Sequence, residues 1–209
     1  MSDLNENKIN SEETIPQSNQ EKPQKKLSAI IDYVELFVIA ISVVILLFSF
    51  VFRTCNVDGD SMNNTLIDKE TLIISDFAYT PRRGDIIVFH QTGYKNMPLV
   101  KRVIGVGGDT VTVNVDTWEV SVTDKGGNTF VLDEPYIHVD EYRTHNLIRK
   151  TGESVHTFVV PEGTVFVLGD NRNNSMDSTD SNVGFVSEDV ILGKVLLRVS
   201  PIAKFGTVD

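Results

Sequence analysis

The chain has 209 residues, 41% hydrophobic and 23% charged, and a formal net charge of −10 at pH 7. That composition excludes a collagen-like or wholly disordered polymer, and the acidic balance argues against nucleic acid as a partner. The single cysteine, Cys55, excludes an intramolecular disulfide framework and a multi-cysteine zinc site.

Residues 1–28 are polar, with two prolines and no aromatic side chain. Such a stretch buries too little apolar surface to offset its ordering entropy, so a disordered tail is expected. Next comes IIDYVELFVIAISVVILLFSFVF, in which the 17 residues Leu36–Phe52 carry no charge. As a helix they span about 25 Å, and the turn from Ile30 to Glu35 extends them to the roughly 30 Å of a bilayer core. A transmembrane anchor over 29–52 is therefore expected. The rival readings are a buried core helix and a cleaved signal peptide. A signal peptide has a shorter apolar region, about 7–15 residues, and small residues at its cut. Here Arg53-Thr54-Cys55-Asn56 follows instead, and Arg53 also argues against lipoprotein cleavage before Cys55. Lys8, Lys22, Lys25 and Lys26 precede the anchor and only Arg53 lies just beyond it. The positive-inside rule then places the amino terminus in the cytoplasm and residues 53–209 outside.

Residues 53–209 are long enough for a core. Strand signals dominate: TLIIS, DIIVFH, LVKRVIGV, TVTVNV, EVSVT, HTFVV, TVFVLG and ILGKVLLRVS. They are short, β-branched and separated by Gly, Asp, Asn or Pro turns. Helical periodicity is nearly absent. The expected class is mainly β, an antiparallel sandwich or coiled sheet behind one amino-terminal transmembrane helix.

Three common sites fail on inspection. There is no G-x-S-x-G elbow, since the stretch around Ser61 is GDSMN. His90, His138, His145 and His156 lack metal spacing and suit surface or loop positions. The run DNRNNSMDSTD lacks the glycine and ligand spacing of an EF-hand, so no metal is assigned. Gly105-Val106-Gly107-Gly108 lies between strands, not before a helix, so no dinucleotide cofactor is assigned either.

Three polar features interrupt the strand pattern. Ser61 lies in VDGDSMNNTL, where Gly59 and Asp60 permit a tight turn that exposes a hydroxyl; a plain turn serine is the ordinary alternative. Lys101 lies in PLVKRVIG, on the strand face of Leu99 and Val103. Apolar surroundings disfavour its charged form and lower its pKa, and a neutral amine is a competent general base. Arg102, always protonated, is not. The alternative is a lysine that snorkels from an edge strand. The third feature, GDNRNNSMDSTDSNVGFV over 169–186, is either a solvated turn or a hydrogen-bonded scaffold in which Ser175 or Asp177 orients the lysine.

GDSMNNTL, RRGDIIVF, VKRVIGVGGD and LGDNRNNSMDS follow the anchor in that order. Together they resemble bacterial type I signal peptidase, in its smaller single-anchor form. The resemblance implies a serine endopeptidase that cuts secretory preproteins after small residues through an acyl-enzyme. It implies Ser61 as nucleophile, Lys101 as general base and Ser175 as the serine that orients the lysine. Asp177 and Arg172 match scaffold residues of the last motif, Asp170 and Asn171 its turn, and Met62 a residue packed by the nucleophile. Val57, Asp58 and Leu99 are candidate walls for the substrate. The implied fold is a coiled antiparallel β domain whose apolar surface meets the bilayer. Gly59 stands where some members carry a second hydroxyl donor to the oxyanion, and Asn64 and Gly107 stand where prolines are usual. Thr179 replaces an arginine, which leaves Asp177 without its cation unless Arg172 or another substitutes.

Other classes predict different features. A non-catalytic relative that aids surface-fibre assembly predicts a missing Ser or Lys. An unrelated anchored binding module predicts that the pair is incidental. A self-cleaving repressor-type peptidase predicts a DNA-binding domain and no anchor. Residues about 112–160, with Trp118, suggest no chemistry; a cap over the substrate path or a structural role is expected there.

Overall fold

The structure, a computed structural model, describes residues 21–90, 97–139 and 152–208, with side chains from Ile30 onward. Two compact units divide the chain near Leu47. The first contains most of a single long helix, α1 (Glu21–Val51). Its segment Ile30–Val51 is 22 residues of predominantly apolar sequence, about 33 Å of helix, enough to cross a bilayer. The helix begins eight residues before the expected anchor. Pro23 lies in its first turn, where no intrahelical N–H bond is lost, so it does not stop the helix. Residues 1–20 of the expected tail lie outside the described residues.

The second unit is antiparallel β. Eleven strands are described: β1 (Arg53–Asn56), β2 (Thr71–Ser75), β3 (Ile86–His90), β4 (Pro98–Val106), β5 (Thr110–Asn114), β6 (Val120–Thr123), β7 (Thr129–Val131), β8 (Val155–Val159), β9 (Thr164–Leu168), β10 (Val186–Ser187) and β11 (Ile191–Ser200). They form a seven-stranded sheet in the order β1-β2-β11-β3-β4-β9-β10 and a four-stranded sheet in the order β7-β6-β5-β8. The mainly β expectation holds. All eight expected strands form. The three without a sequence signal, β1, β7 and β10, are short pieces that exist through their neighbours: β1 by pairing with β2, β7 with β6, β10 with β9.

Alternation explains the cores. In β5 and β6 every second residue is buried, and Val111, Val113, Val120 and Val122 pack with Trp118, Phe166 and Leu168. The stretch without evident chemistry thus builds one face of a core. Strands β3, β4 and β9, central in the large sheet, are buried on both faces, as continuous apolar runs should be. One of their faces, with Ile87, Phe89, Val103 and Val167, forms a second core. A third core gathers Val57, Met62, Leu66, Leu72, Ile86 and Val88. Strand β4 therefore runs between two apolar layers, and the one lysine in its middle is buried with them.

Candidate active site

The loop from Val57 to Glu70 joins β1 to β2 and closes on itself. The Val57 N–H donates to Glu70 O and the Lys69 N–H to Val57 O, at 2.8 and 2.9 Å. Val57, Met62 and Leu66 are each no more than 5% exposed and pin the loop to the core. Gly59 has a φ of +93°, in the left-handed region that glycine adopts freely. Its N–H donates to Asp68 Oδ1 at 3.0 Å. The turn expected at Gly59-Asp60 therefore forms and lifts Ser61 from the core.

Lys101 projects from β4 opposite Ile87 of β3. Its residue is only 2% exposed. Nζ lies 2.7 Å from Ser61 Oγ and donates to Val100 O at 2.8 Å. Burial pushes the amine down to about 8 from its ordinary 10.5, while the Asp177 and Asp170 carboxylates oppose the fall. Desolvation dominates because the strand gives the amine apolar neighbours, and a charge without water is disfavoured. The lysine is not snorkelling.

The segment Gly169–Arg172, directly after β9, grips this pair from behind. The Asn171 N–H donates to Ser61 O at 3.1 Å and its side-chain Nδ2 to Asp60 O at 3.0 Å. Gly169 touches the same carbonyl. A Cβ built there overlaps Ser61 O and the Ser175 side chain, so the close approach requires glycine. Asp170 is wholly buried and takes a bidentate pair from Arg102, Nε to Oδ1 at 3.0 Å and Nη2 to Oδ2 at 2.8 Å. Arg172 is also buried, but it pairs with Glu134.

Asp177 has no need of the absent cation. Its Oδ2 accepts the Gly169 N–H, and its Oδ1 accepts the Thr179 N–H and hydroxyl, the last at 2.7 Å. Arg172 does not take the place of the missing partner; the neutral donors of Thr179 and Gly169 do. Ser175 departs from expectation. Its Oγ is buried without a hydrogen-bond partner, so the bond expected to the lysine is not formed. The substrate walls divide similarly. A cleft of about 390 Å³ is lined by Asp58, Ser61, Leu99, Lys101, Asn174 and Met176 among others. Val57 and Met62 do not line it; they lie in the core under the loop.

Residues 30–200 match the family described as signal peptidase, peptidase S26. The chain belongs to the peptidase S26 signal peptidase family. Signal peptidase I P of Bacillus subtilis subsp. natto is 34% identical over 174 residues, covering 82% of this chain and 90% of its own. Signal peptidase IB of Staphylococcus aureus (strain COL) is 33% identical over 193 residues, covering 84% of this chain and 92% of its own. A crystal structure of a signal peptidase I from Enterococcus faecalis V583 shares 28% identity, covers 56% of this chain and 97% of its own, and has a TM-score of 0.39. This signal peptidase family chain is a peptidase with one helix suited to membrane anchoring.

Its Gly107, where a proline is usual, has a local cause. A Cβ there lies 2.9 Å from Glu162 Cα, so the turn after β4 packs too closely for any side chain. Sequence reasoning missed Glu134 and Tyr136, which lie in the stretch without evident chemistry. Glu134 receives Arg172, and the Tyr136 ring lies 3.8 Å from the Arg102 guanidinium carbon. Neither residue sits in a motif, and only the fold brings them to the site. His138 joins the same region mainly through its backbone: its N–H donates to Asp170 O and its carbonyl accepts the Arg172 N–H, while its imidazole Nδ1 lies 3.5 Å from Asn64 Nδ2 on the Ser61 loop. His145 lies outside the described residues.

Gly169→Ala should lower kcat by on the order of 10²-fold, because displacing a reacting group by about 1 Å has that effect; steady-state cleavage of a preprotein measures it. Lys101→Met should raise stability at neutral pH. The unfolded chain holds the lysine proton up to about pH 10.5 and the folded chain only to about 8. Between these values the unfolded state binds more protons, so stability rises with pH, and below 8 the full penalty, on the order of 3 kcal/mol, applies. Denaturant unfolding should show the variant ahead at pH 7 and the difference vanishing near pH 10.5.

Proposed function

We propose that this chain removes signal peptides from secreted preproteins, with Ser61 as nucleophile and Lys101 as general base. The observation that carries the reading is the 2.7 Å approach of a buried, water-poor amine to the Ser61 hydroxyl, at the floor of an open cleft. The neutral amine takes the Ser61 proton as Oγ attacks the scissile carbonyl. The resulting ammonium returns the proton to the leaving amine, and the mature protein departs. The same amine then activates a water that releases the signal peptide from the acyl-enzyme. Val100 O holds Nζ throughout, so the base does not swing away between steps.

The Ser61 N–H is the backbone donor assigned to the oxyanion. Gly59 supplies no side-chain donor. The substrate enters as an extended strand, with Asp58 and Leu99 beside it and small side chains nearest the cut. Ser175 is assigned as a further acceptor for the amine, a bond not formed in this structure: its Oγ lies against Gly169 beside Ser61 and has acceptor capacity unused. Asp170, Asn171, Arg172 and Asp177 are support, each holding a neighbour of the pair. Within 112–160, the described residues 112–139 and 152–160 serve the site structurally through the small sheet.

Residues 29–52 anchor the enzyme and residues 53–209 form the peptidase domain. The amino terminus faces the cytoplasm, on the strength of the four lysines before the anchor. Protease added to intact spheroplasts should digest a carboxy-terminal tag; a protected tag reverses the orientation.

Ser61→Ala and Lys101→Ala should each lower preprotein cleavage in detergent by on the order of 10⁴-fold. The wild-type rate should rise with pH through a midpoint of about 8, as the amine becomes neutral. Full activity in Lys101→Ala would remove that residue from the mechanism. Retained binding with no cleavage by wild type would favour the non-catalytic relative.

A further inference from the structure

We infer that Glu134 is a positioning residue for the Ser61–Lys101 pair, acting through Arg172 to hold Gly169 and Asn171 against the nucleophile loop. The inference rests on the proposed roles of Ser61 and Lys101.

Arg172 is the hub of this arrangement. Its side chain is fully buried, and the Glu134 side chain is 4% exposed. Both terminal guanidinium nitrogens of Arg172 donate to the Glu134 carboxylate, Nη1 to Oε2 at 2.9 Å. The third nitrogen, Nε, donates to Gly169 O at 3.2 Å. The guanidinium is therefore a rigid plate with the Glu134 carboxylate on one edge and the Gly169 carbonyl on another. A planar fork held bidentately has one orientation, and this fixes where Gly169 sits. Gly169 in turn touches Ser61 O, and Asn171, next to Arg172, donates to that same oxygen. Glu134 thus reaches Ser61 through two intermediate residues, Arg172 and Gly169, without touching it.

Glu134 is itself held. The Tyr136 hydroxyl donates to Oε1 at 2.8 Å. Burial and the adjacent Glu134 carboxylate push the phenol up, so it remains a donor. The Trp118 ring lies 5.9 Å from the Arg172 guanidinium carbon, within cation–π range. Farther along the strap, His138 bridges to Asn171 by backbone bonds on both sides. The strap from Glu134 to His138 follows β7 of the small sheet. This sheet therefore reaches the Ser61–Lys101 pair through one buried carboxylate and the His138 backbone.

A purely structural ion pair would affect folding alone. A positioning pair also moves the chemistry. Without the carboxylate, Arg172 turns to find another partner, Gly169 relaxes, and water gains access to the amine. Lys101 then becomes easier to protonate, and less of it is a base at neutral pH.

The test compares Glu134→Gln, Glu134→Ala, Arg172→Ala and the double variant Glu134→Ala/Arg172→Ala in the full-length enzyme in detergent. Preprotein cleavage is followed against pH, and folding is monitored by circular dichroism. Glu134→Gln is nearly isosteric and keeps one acceptor, so it reports even where the alanine variant fails to fold. The inference expects kcat to fall 10- to 100-fold in Glu134→Gln with KM changed less than threefold. It expects the acidic limb of the rate profile to move to higher pH. Where the alanine variants fold, it also expects no further loss in the double variant beyond Arg172→Ala, because groups that act through one another are not additive. Tyr136→Phe should move the limb the same way by less. Wild-type kcat and an unmoved limb in Glu134→Gln overturn the inference. Ser61→Ala and Lys101→Ala run beside them: activity retained there sinks the dyad reading, whereas an inactive dyad with normal Glu134 variants sinks only this one.

Discussion

The structure depends on keeping one amine out of water. Lys101 lies in the middle of β4, between apolar layers, and its hydration is replaced by only two near partners, Ser61 Oγ and Val100 O. An ammonium in such a place is poorly stabilised, and the strand thereby lowers the proton affinity of the amine. The same burial sets severe terms for everything around it. The loop that brings Ser61 to the amine has to be held from below by Val57, Met62 and Leu66, and from behind by Asn171 and Gly169. A loose Ser61 loop admits water, and water restores the charge.

This explains why so much charge is buried nearby in compensated form. Arg102 with Asp170, and Arg172 with Glu134, are buried pairs whose members have matched hydrogen bonds. Buried ion pairs are weak evidence for stability, since desolvation offsets much of the attraction. Their bidentate geometry is strong evidence for orientation. Each pair fixes one residue of the Gly169–Arg172 segment, and that segment fixes Ser61. The rigidity of the site is built from groups that contribute little net stability but tolerate few alternative arrangements.

Much of this was legible in the sequence, for identifiable reasons. The strands were visible because β-branched runs alternate with turn residues, and the anchor because 17 uncharged residues run together. Lys101 stood out because its strand face is shared with Leu99 and Val103, neither of them hydrophilic. The partners of the motifs were not legible. Glu134 and Tyr136 lie more than 30 residues before Arg172 in a stretch of ordinary composition, and pairing over that distance is decided by tertiary packing. The burial of Val57 and Met62 was equally hidden. Each follows or precedes a cleft residue, and adjacency in sequence does not say which way a loop side chain turns. The start of α1 at Glu21 was obscured by polar composition, which favours disorder without forbidding a helical turn.

The substitution at Thr179 shows how the electrostatics can be retuned without moving the pair. An arginine beside Asp177 would neutralise that carboxylate's field. Thr179 and Gly169 satisfy its oxygens with neutral hydrogens and leave the negative charge in place. That charge then acts on Lys101, where it opposes desolvation and raises the amine's proton affinity. Asp170 acts in the same sense, but its charge is largely met by Arg102. The resulting value of about 8 is a balance between burial, which alone would carry the amine lower, and an Asp177 whose charge has been left uncancelled. A base of that strength is partly neutral near physiological pH, yet still basic enough to take a serine proton. The departure from the family pattern at this position therefore adjusts the amine's proton affinity, whereas Asp177 remains anchored by hydrogen bonds that ask for no cation.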